Sequence, residues 1–510
     1  MVILAILPLG HFLAGILSLA LPRSRGRRAL LVLSLMVDAV LISILYREIV
    51  VMGNVRIVLG GWDRAVGIEL SADWVSLSFC GLFLGLAFSV TAYLWKEELQ
   101  AYFFLLLHLL FGSVLGLLFS RDLFNIYVVL ELLSLVSFLL IGYERKPEQF
   151  WTGLKYLFFA TFGMGMYLFG VGVVYAHVGT LNLSMIAVRL PADLPPWGVL
   201  AAALLVTGVA VKAGVFIFSL WLPGTYSSSH PAVSALFAGL VSKMGFVVLL
   251  RLFSVFPIRG ALFVLGAITG ILGVAYMIAT YDLKRMLAFS SLSQMGYLLL
   301  GLGTGAIGGA VAYAVAHGLF KGLLFLAGGE AVRTAEVRDI PGLVGRKIPV
   351  QSRLGLLIGT LAIMGLPPFA GFAGKAILYG ESEGIPFQVI MGIISLGTVI
   401  SFSKLVPVFR FVDIGEVVGE KALSYAIVAI PVLFFLPMMW AFVPRGLWRH
   451  LLNPIVISES LFIVGIGFIL YRLISRYPLH LPERIFRLEE GVLVILSGFF
   501  LVFFLVWIAG

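Results

Sequence analysis

The stretch Val206–Gly224, "VTGVAVKAGVFIFSLWLPG", begins as an apolar helix, sets Lys212 among valine, alanine and phenylalanine, and ends on Leu-Pro-Gly. A lysine at the centre of a membrane helix costs roughly 2.5–3.5 kcal/mol to insert. Such a residue persists where a partner, a water-filled path or a function accounts for it. Whether this helix crosses a bilayer decides the fold class, and with it the purpose of Lys212.

Composition settles the first part. Of 510 residues, 61% are hydrophobic and 12% charged, and the mean hydropathy is +1.10. A soluble domain carries about a quarter charged residues. Apolar runs of about 20 residues, the length that crosses roughly 30 Å of hydrocarbon, recur along the chain. The alternating segments of an outer-membrane barrel are absent. The sequence therefore predicts an all-α polytopic membrane protein with about 14–16 spans. Sixteen are expected, at 2–21, 29–51, 73–95, 101–119, 123–142, 153–178, 198–220, 231–253, 260–280, 286–303, 305–328, 354–379, 386–410, 422–443, 455–475 and 489–509. The charges of "RSRGRR" follow the first apolar run instead of preceding it, so that run is expected as a retained helix, not a signal peptide. One cysteine, Cys80, allows no intrachain disulfide and no cysteine-ligated cluster.

The net charge of +10 serves topology, not nucleic-acid binding. Alternate loops hold 20 and 9 of the 35 Lys and Arg residues, and the other six are lysines within spans. The richer set belongs in the cytoplasm, which places both termini outside a cell membrane. Four segments are expected: N-terminal helices 1–100, five-helix blocks 101–253 and 260–410, and accessory helices 411–510. Each block has a late helix interrupted by Gly and Pro, "WLPG" at 221–224 and "GLPPFAGFAG" at 365–374, with Lys212 or Lys375 beside it. An odd helix count per block gives the two opposite orientations. Paired broken helices in inverted repeats point to a transport site, here one proton half-channel per block.

Six side chains stand out at mid-span: Glu131, Lys212, Lys243, His317, Lys321 and Lys375. His317 and Lys321 are four residues apart and face one way. A static reading makes such charges ion pairs or snorkelling groups that fix packing, and Lys155 and Lys404, near span ends, fit it. His11, His108 and His177 are expected as packed or interfacial, and Asp38 shows no partner. The six fall in five different helices at similar depth and form a row. Lysine suits a relay because desolvation favours its neutral form and a nearby carboxylate its charged form.

In this order the residues resemble one family: the antiporter-like subunits of respiratory complex I and of multisubunit Mrp cation/proton antiporters, with relatives in archaeal membrane-bound hydrogenases. The similarity covers about residues 100–410 and is carried by "VLELLSLVSFLLIG", "VKAGVFIFSLWLPG", "SHPAVSALFAGLVSKMGFVVLLR", "YDLKRMLAFSSLSQMGYLLLGL", "HGLFKGLLFLAGG" and "GLPPFAGFAGKAIL". The resemblance implies that Glu131 pairs with Lys212, and that Lys243, His317 and Lys321 relay protons to Lys375. It also implies partner membrane subunits, further antiporter-like ones among them, with protons as cargo and sodium as a candidate second ion. Phe216 and Phe218 stand where many complex I members have histidine, which makes this chain look more like the D-type Mrp subunit and its hydrogenase-type equivalent. Lys375 stands where one branch has glutamate. The two spans after 450 exceed the usual core and look like a docking element. No cofactor is expected in this chain, so any redox chemistry belongs to partners. The alternatives are a stand-alone solute or cation carrier, which needs one converging pocket, and a scaffold with static charges.

Overall fold

The computed structural model describes residues 2–191, 193–382, 384–409, 421–435, 451, 453–475, 481 and 488–509. Among them, 14 helices are long and apolar enough to cross a membrane. These match fourteen of the sixteen expected spans. The span expected at 354–379 is instead two helices, Val350–Met364 and Ala370–Glu381. The one expected at 422–443 contains helix Ala422–Leu433, and its residues 436–443 lie outside the described ones. So do Arg410, Arg445, Arg449, Arg476, Arg484 and Arg487, which enter the charge count.

The chain forms two compact units. The first comprises Met1–Trp221, Leu240–Ala261 and Phe486–Gly510. It contains α1 (Ile3–Ala20), α2 (Ser24–Met52), a hairpin of β1 (Val55–Val58) and β2 (Glu69–Ala72), α3 (Trp74–Tyr93), α4 (Ala101–Phe119), α5 (Leu123–Ile141), α6 (Pro147–Val178), α7 (Leu183–Arg189) and α8 (Pro196–Ala213). α1 packs on α4 and α2, and α6 on α8 and α5. A buried polar link ties α1, α2 and α4 together. His11 Nε2 lies 2.7 Å from Asp38 Oδ2, and His11 Nδ1 lies 3.0 Å from His108 Nδ1. Asp38, without an evident partner in the sequence, thus has one on α1.

β1 and β2 pair antiparallel, with Val55 opposite Ala72 and Val58 opposite Glu69. Just beyond, Asp73 caps α3 by accepting from the Ser76 N–H at 2.9 Å. Its carboxylate also accepts two bonds from Arg251, at 2.7 and 2.9 Å, and one from Arg121 at 3.1 Å. Burial alone would push this carboxyl up, but Arg251 and then Arg121 outweigh it and hold it well below the usual carboxylate range. A lowered folded pKa contributes stability that is present above the unfolded value, about 3.9, and lost as pH falls below it. Asp73→Asn should cost about 3–5 kcal/mol at pH 7 by leaving two guanidinium groups unpaired. Thermal unfolding in detergent would show a lower Tm, with the gap to wild type narrowing as pH drops below about 4.

The second unit comprises Leu222–Gly239 and Leu262–Ile485. It holds α9 (Leu222–Ser228), the start of α10 (Pro231–Phe253), most of α11 (Arg259–Ala279), α12 (Leu283–Thr304), α13 (Ile307–Ala335), α14 (Val350–Met364), α15 (Ala370–Glu381), α16 (Ile385–Phe402), α17 (Ala422–Leu433) and α18 (Pro454–Ile474). α13 is its centre and packs on α12, α14, α15 and α17. The chain returns to the first unit inside α10, at a π-turn over Phe237–Val241. There the rest of α10 packs on α8, as does the last helix, α19 (Leu488–Ala509).

One local construction occurs in both units. Asp122 caps α5, and the backbone beside it pairs with the stretch before α7: Leu123 N–H donates to Leu181 O and Leu183 N–H to Arg121 O, each 2.9 Å. Asp282 caps α12, with Leu283 N–H donating to Arg338 O and Ile340 N–H to Tyr281 O, again 2.9 Å. Each construction is followed by a broken helix with a lysine at the break.

Candidate functional site

The break in the Val206–Gly224 stretch falls earlier than Leu-Pro-Gly suggests. α8 stops at Ala213 because Gly214 takes the left-handed conformation (φ 81°) and its N–H closes on Ala210 O. A 3-10 turn over Phe216–Phe218 follows. Pro223 sits in the first turn of α9, where a missing N–H costs nothing. Lys212 therefore lies in the last turn of α8, among carbonyls with no helical partner, at the helix end that favours a cation. It is buried and donates to Ser134 Oγ on α5, with the Tyr156 ring 5.5 Å away.

Glu131 is half-buried on α5, one turn before Ser134, and its charge interacts electrostatically with Lys212. The described contacts give Lys212 no ion pair: its hydrogen bond goes to a neutral hydroxyl. Lys243 is fully buried just after the π-turn, with Ser242 Oγ at 3.3 Å. Gly245 lets α10 lie directly against the Ala213 backbone, where any side chain would collide. The first unit thus holds Glu131 on α5, Lys212 on α8 and Lys243 on the part of α10 that packs on α8, with the Lys212–Ser134 bond linking α8 to α5.

His317, Lys321 and Lys375 belong to the second unit. His317 and Lys321 are fully buried on α13. The His317 ring stacks on Tyr313 (centroids 6.2 Å, 8° between planes) and meets Phe320 at 5.3 Å. Lys321 donates to Leu287 O and, at 2.8 Å, to Ser290 Oγ, both on α12, and lies 4.8 Å from the Phe325 ring centre. At the second break, Gly365 ends α14 in the left-handed conformation (φ 86°) and α15 starts at Ala370. Lys375 reaches back across the break to donate to Ile363 O at 3.1 Å, and sits 5.2 Å from the Tyr297 ring centre. Both lysines therefore use the carboxyl end of a half-helix.

Between α13 and Lys375 runs a set of polar groups that the sequence reading missed. Tyr313 O–H donates to Gln294 Oε1, and Gln294 Nε2 donates to Thr398 Oγ1 at 3.2 Å. Tyr297 packs edge-on to Tyr313 at 5.4 Å, and its hydroxyl lies 2.6 Å from Ser395 Oγ. The signal was present in "SSLSQMGY": Ser290, Gln294 and Tyr297 recur at four and three residues, one face of a helix. The lysines set aside as structural are placed accordingly. Lys404 caps the end of α11, donating to Met277 O at 3.2 Å, to Ile278 O at 2.5 Å and to Thr280 O at 2.9 Å. Lys155 lies over Trp151, and His177 stacks on Trp197 at 4.5 Å.

Many apolar spans, two helices broken at a lysine, and buried lysines bonded to neutral acceptors define a polytopic membrane protein of the antiporter-like class. The family described as NADH:quinone oxidoreductase/Mrp antiporter, TM, matches residues 120–401, and the chain belongs to that family. It is 34% identical over 433 residues to NADH-quinone oxidoreductase subunit N of Desulforudis audaxviator, covering 79% of this chain and 85% of that protein. Over 391 residues it is 30% identical to the D-type subunit of the Na(+)/H(+) antiporter of Bacillus subtilis, covering 72% and 78%. Its fold is similar to a chain of the membrane-bound sulfane sulfur reductase, an archaeal respiratory membrane complex (TM-score 0.78, 23% identity, 91% of this chain and 98% of that one). It is also similar to a chain of the Mrp complex from Dietzia (TM-score 0.76, 21% identity, 97% and 59%).

Proposed function

We propose that this chain is the proton-moving subunit of a multisubunit membrane complex, either redox-driven or of the Mrp cation/proton type. Protons pass along Glu131, Lys212 and Lys243 in the first unit and His317, Lys321 and Lys375 in the second, with water between them. The observation that carries the reading is the bonding of the two break lysines. Lys212 and Lys375 donate to a serine hydroxyl and a backbone carbonyl, and neither takes part in an ion pair among the described residues. A static buried charge needs an opposite charge or a full set of acceptors, such as the three carbonyls that hold Lys404; among the described residues Lys212 and Lys375 have one neutral acceptor each. An amine held by neutral acceptors can lose its proton and take up another without breaking a pair.

Glu131 supplies the bias. At an effective dielectric of about 20, closing a charge pair from roughly 8 to 4 Å gains about 2 kcal/mol. That exceeds the 1.36 kcal/mol of one pKa unit, enough to drive a proton on to Lys243 when the carboxylate withdraws. Each block is read as one half-channel, the protein as residing in a cell membrane, and both termini as external. Electron donors and cofactors reside in partner subunits, and sodium is a candidate counter-ion. The test reconstitutes the assembled complex in liposomes and compares proton transport by wild type and Lys212→Ala. Full transport by a correctly assembled Lys212→Ala complex would leave the scaffold reading in place. Solute uptake by the purified chain alone would favour the carrier.

A further inference from the structure

The second unit contains a cavity of about 230 Å³ beside Lys375, walled by α14, α15, α16 and α18. Such a volume admits several waters, each occupying about 30 Å³ in the liquid. Its polar lining comes from Lys375, Tyr379, Gln388, Ser395, Glu459 and Ser460. Lys375, Tyr379 and Glu459 are the titratable groups on the wall; α14 and α16 add none. Glu459 is exposed on α18, one of the two spans beyond the usual core, and Ser460 beside it donates to Gly365 O at 2.6 Å. The added helix is therefore tethered to the break that Lys375 spans.

Depth along the helices agrees. Lys375 lies six residues before the end of α15 at Glu381, about 9 Å at 1.5 Å per residue. Glu459 lies five residues into α18, about 8 Å. Gln388 lies three residues into α16, which starts just after α15 ends. On the sequence-based topology these ends face outward. Ser395, which bonds Tyr297 beneath Lys375, also lines the cavity, so the polar set from α12 ends at its wall.

We propose that this cavity is the water-filled outlet of the relay, and that Glu459 is its terminal proton acceptor, taking the Lys375 proton through water and releasing it outside. The step is a proton transfer: the Lys375 ammonium becomes an amine, water carries the proton, and the Glu459 carboxylate becomes a carboxyl that then ionises to bulk. The inference rests on the relay reading of Lys375, and the test separates the two.

In proteoliposomes holding the assembled complex, Glu459→Gln should lower proton transport roughly tenfold and change its pH profile, with Glu459→Asp restoring most of both. Unchanged rate and pH profile in Glu459→Gln, beside loss of transport in Lys375→Ala, would overturn the outlet role while the relay stands. Unchanged transport in Lys375→Ala would instead overturn the relay. Wetness is read directly with G392C, at a cavity position where an added Cβ meets nothing within 4 Å. The buried native thiol is removed by Cys80→Ser. A cationic, membrane-impermeant thiol reagent should label G392C from the outer face, and Glu459→Gln should slow it more than a neutral reagent. No labelling from outside, or labelling only from inside, would contradict the outlet.

Discussion

Lys212→Ala is expected to reduce proton transport by the assembled complex on the order of 100-fold, the scale of a positioned acid–base group, without loss of assembly. The substitution removes a buried charge that costs roughly 2.5–3.5 kcal/mol to keep in the membrane. Against that stands one bond to Ser134 Oγ, a hydroxyl that still bonds Leu130 O at 2.6 Å. α8 and α6 pack along their length, so the contact of the ammonium with the Tyr156 ring is one of many that hold them together. A purely structural lysine would give the opposite pattern: weaker assembly and transport scaling with the amount assembled. Thermal stability and transport per complex, measured on one preparation, distinguish the two.

Lys321→Ala is expected to have a similar effect through the second unit. Lys321 bridges α13 to α12 at Leu287 O and Ser290 Oγ. Ser290 also donates to Leu287 O at 2.9 Å, so the hydroxyl keeps a partner when the lysine is gone. Loss of transport of about 100-fold with Tm unchanged or raised is the relay result. Lys321→Met, which keeps the length and apolar stem, should behave the same way, since it fills the space and carries no proton. Recovery of transport in that variant would mean that the lysine serves as a spacer.

The membrane class and fourteen spans were legible because hydropathy over about 20 residues reports directly on burial in lipid. The family was legible because Lys212, Lys243, His317, Lys321 and Lys375 fall within long matching motifs. The location of the breaks was less so. Leu-Pro-Gly draws attention to proline, whereas the helix ends where Gly214 turns left-handed, and Pro223 begins the next segment. The partner of Asp38 was out of reach because His11 and His108 are 27 and 70 residues away in sequence, and only packing of α1 and α4 brings them to it. Gln294, Tyr297 and Tyr313 look like ordinary helix residues until the facing hydroxyls of Ser395 and Thr398 are known. Glu459 is similar: in sequence it is an acid near a span end, and the cavity it shares with Lys375 exists only in the fold.

The central claim is that Lys212 changes protonation during turnover. Lys212→Arg tests it most directly, because arginine keeps the positive charge and hydrogen-bonding capacity but does not give up its proton in a protein. Transport and stability should be measured on the same reconstituted complex. The expected result is an assembled complex of near wild-type stability in which proton transport is lost. Transport near the wild-type rate in Lys212→Arg would contradict the claim, and would make Lys212 a fixed charge.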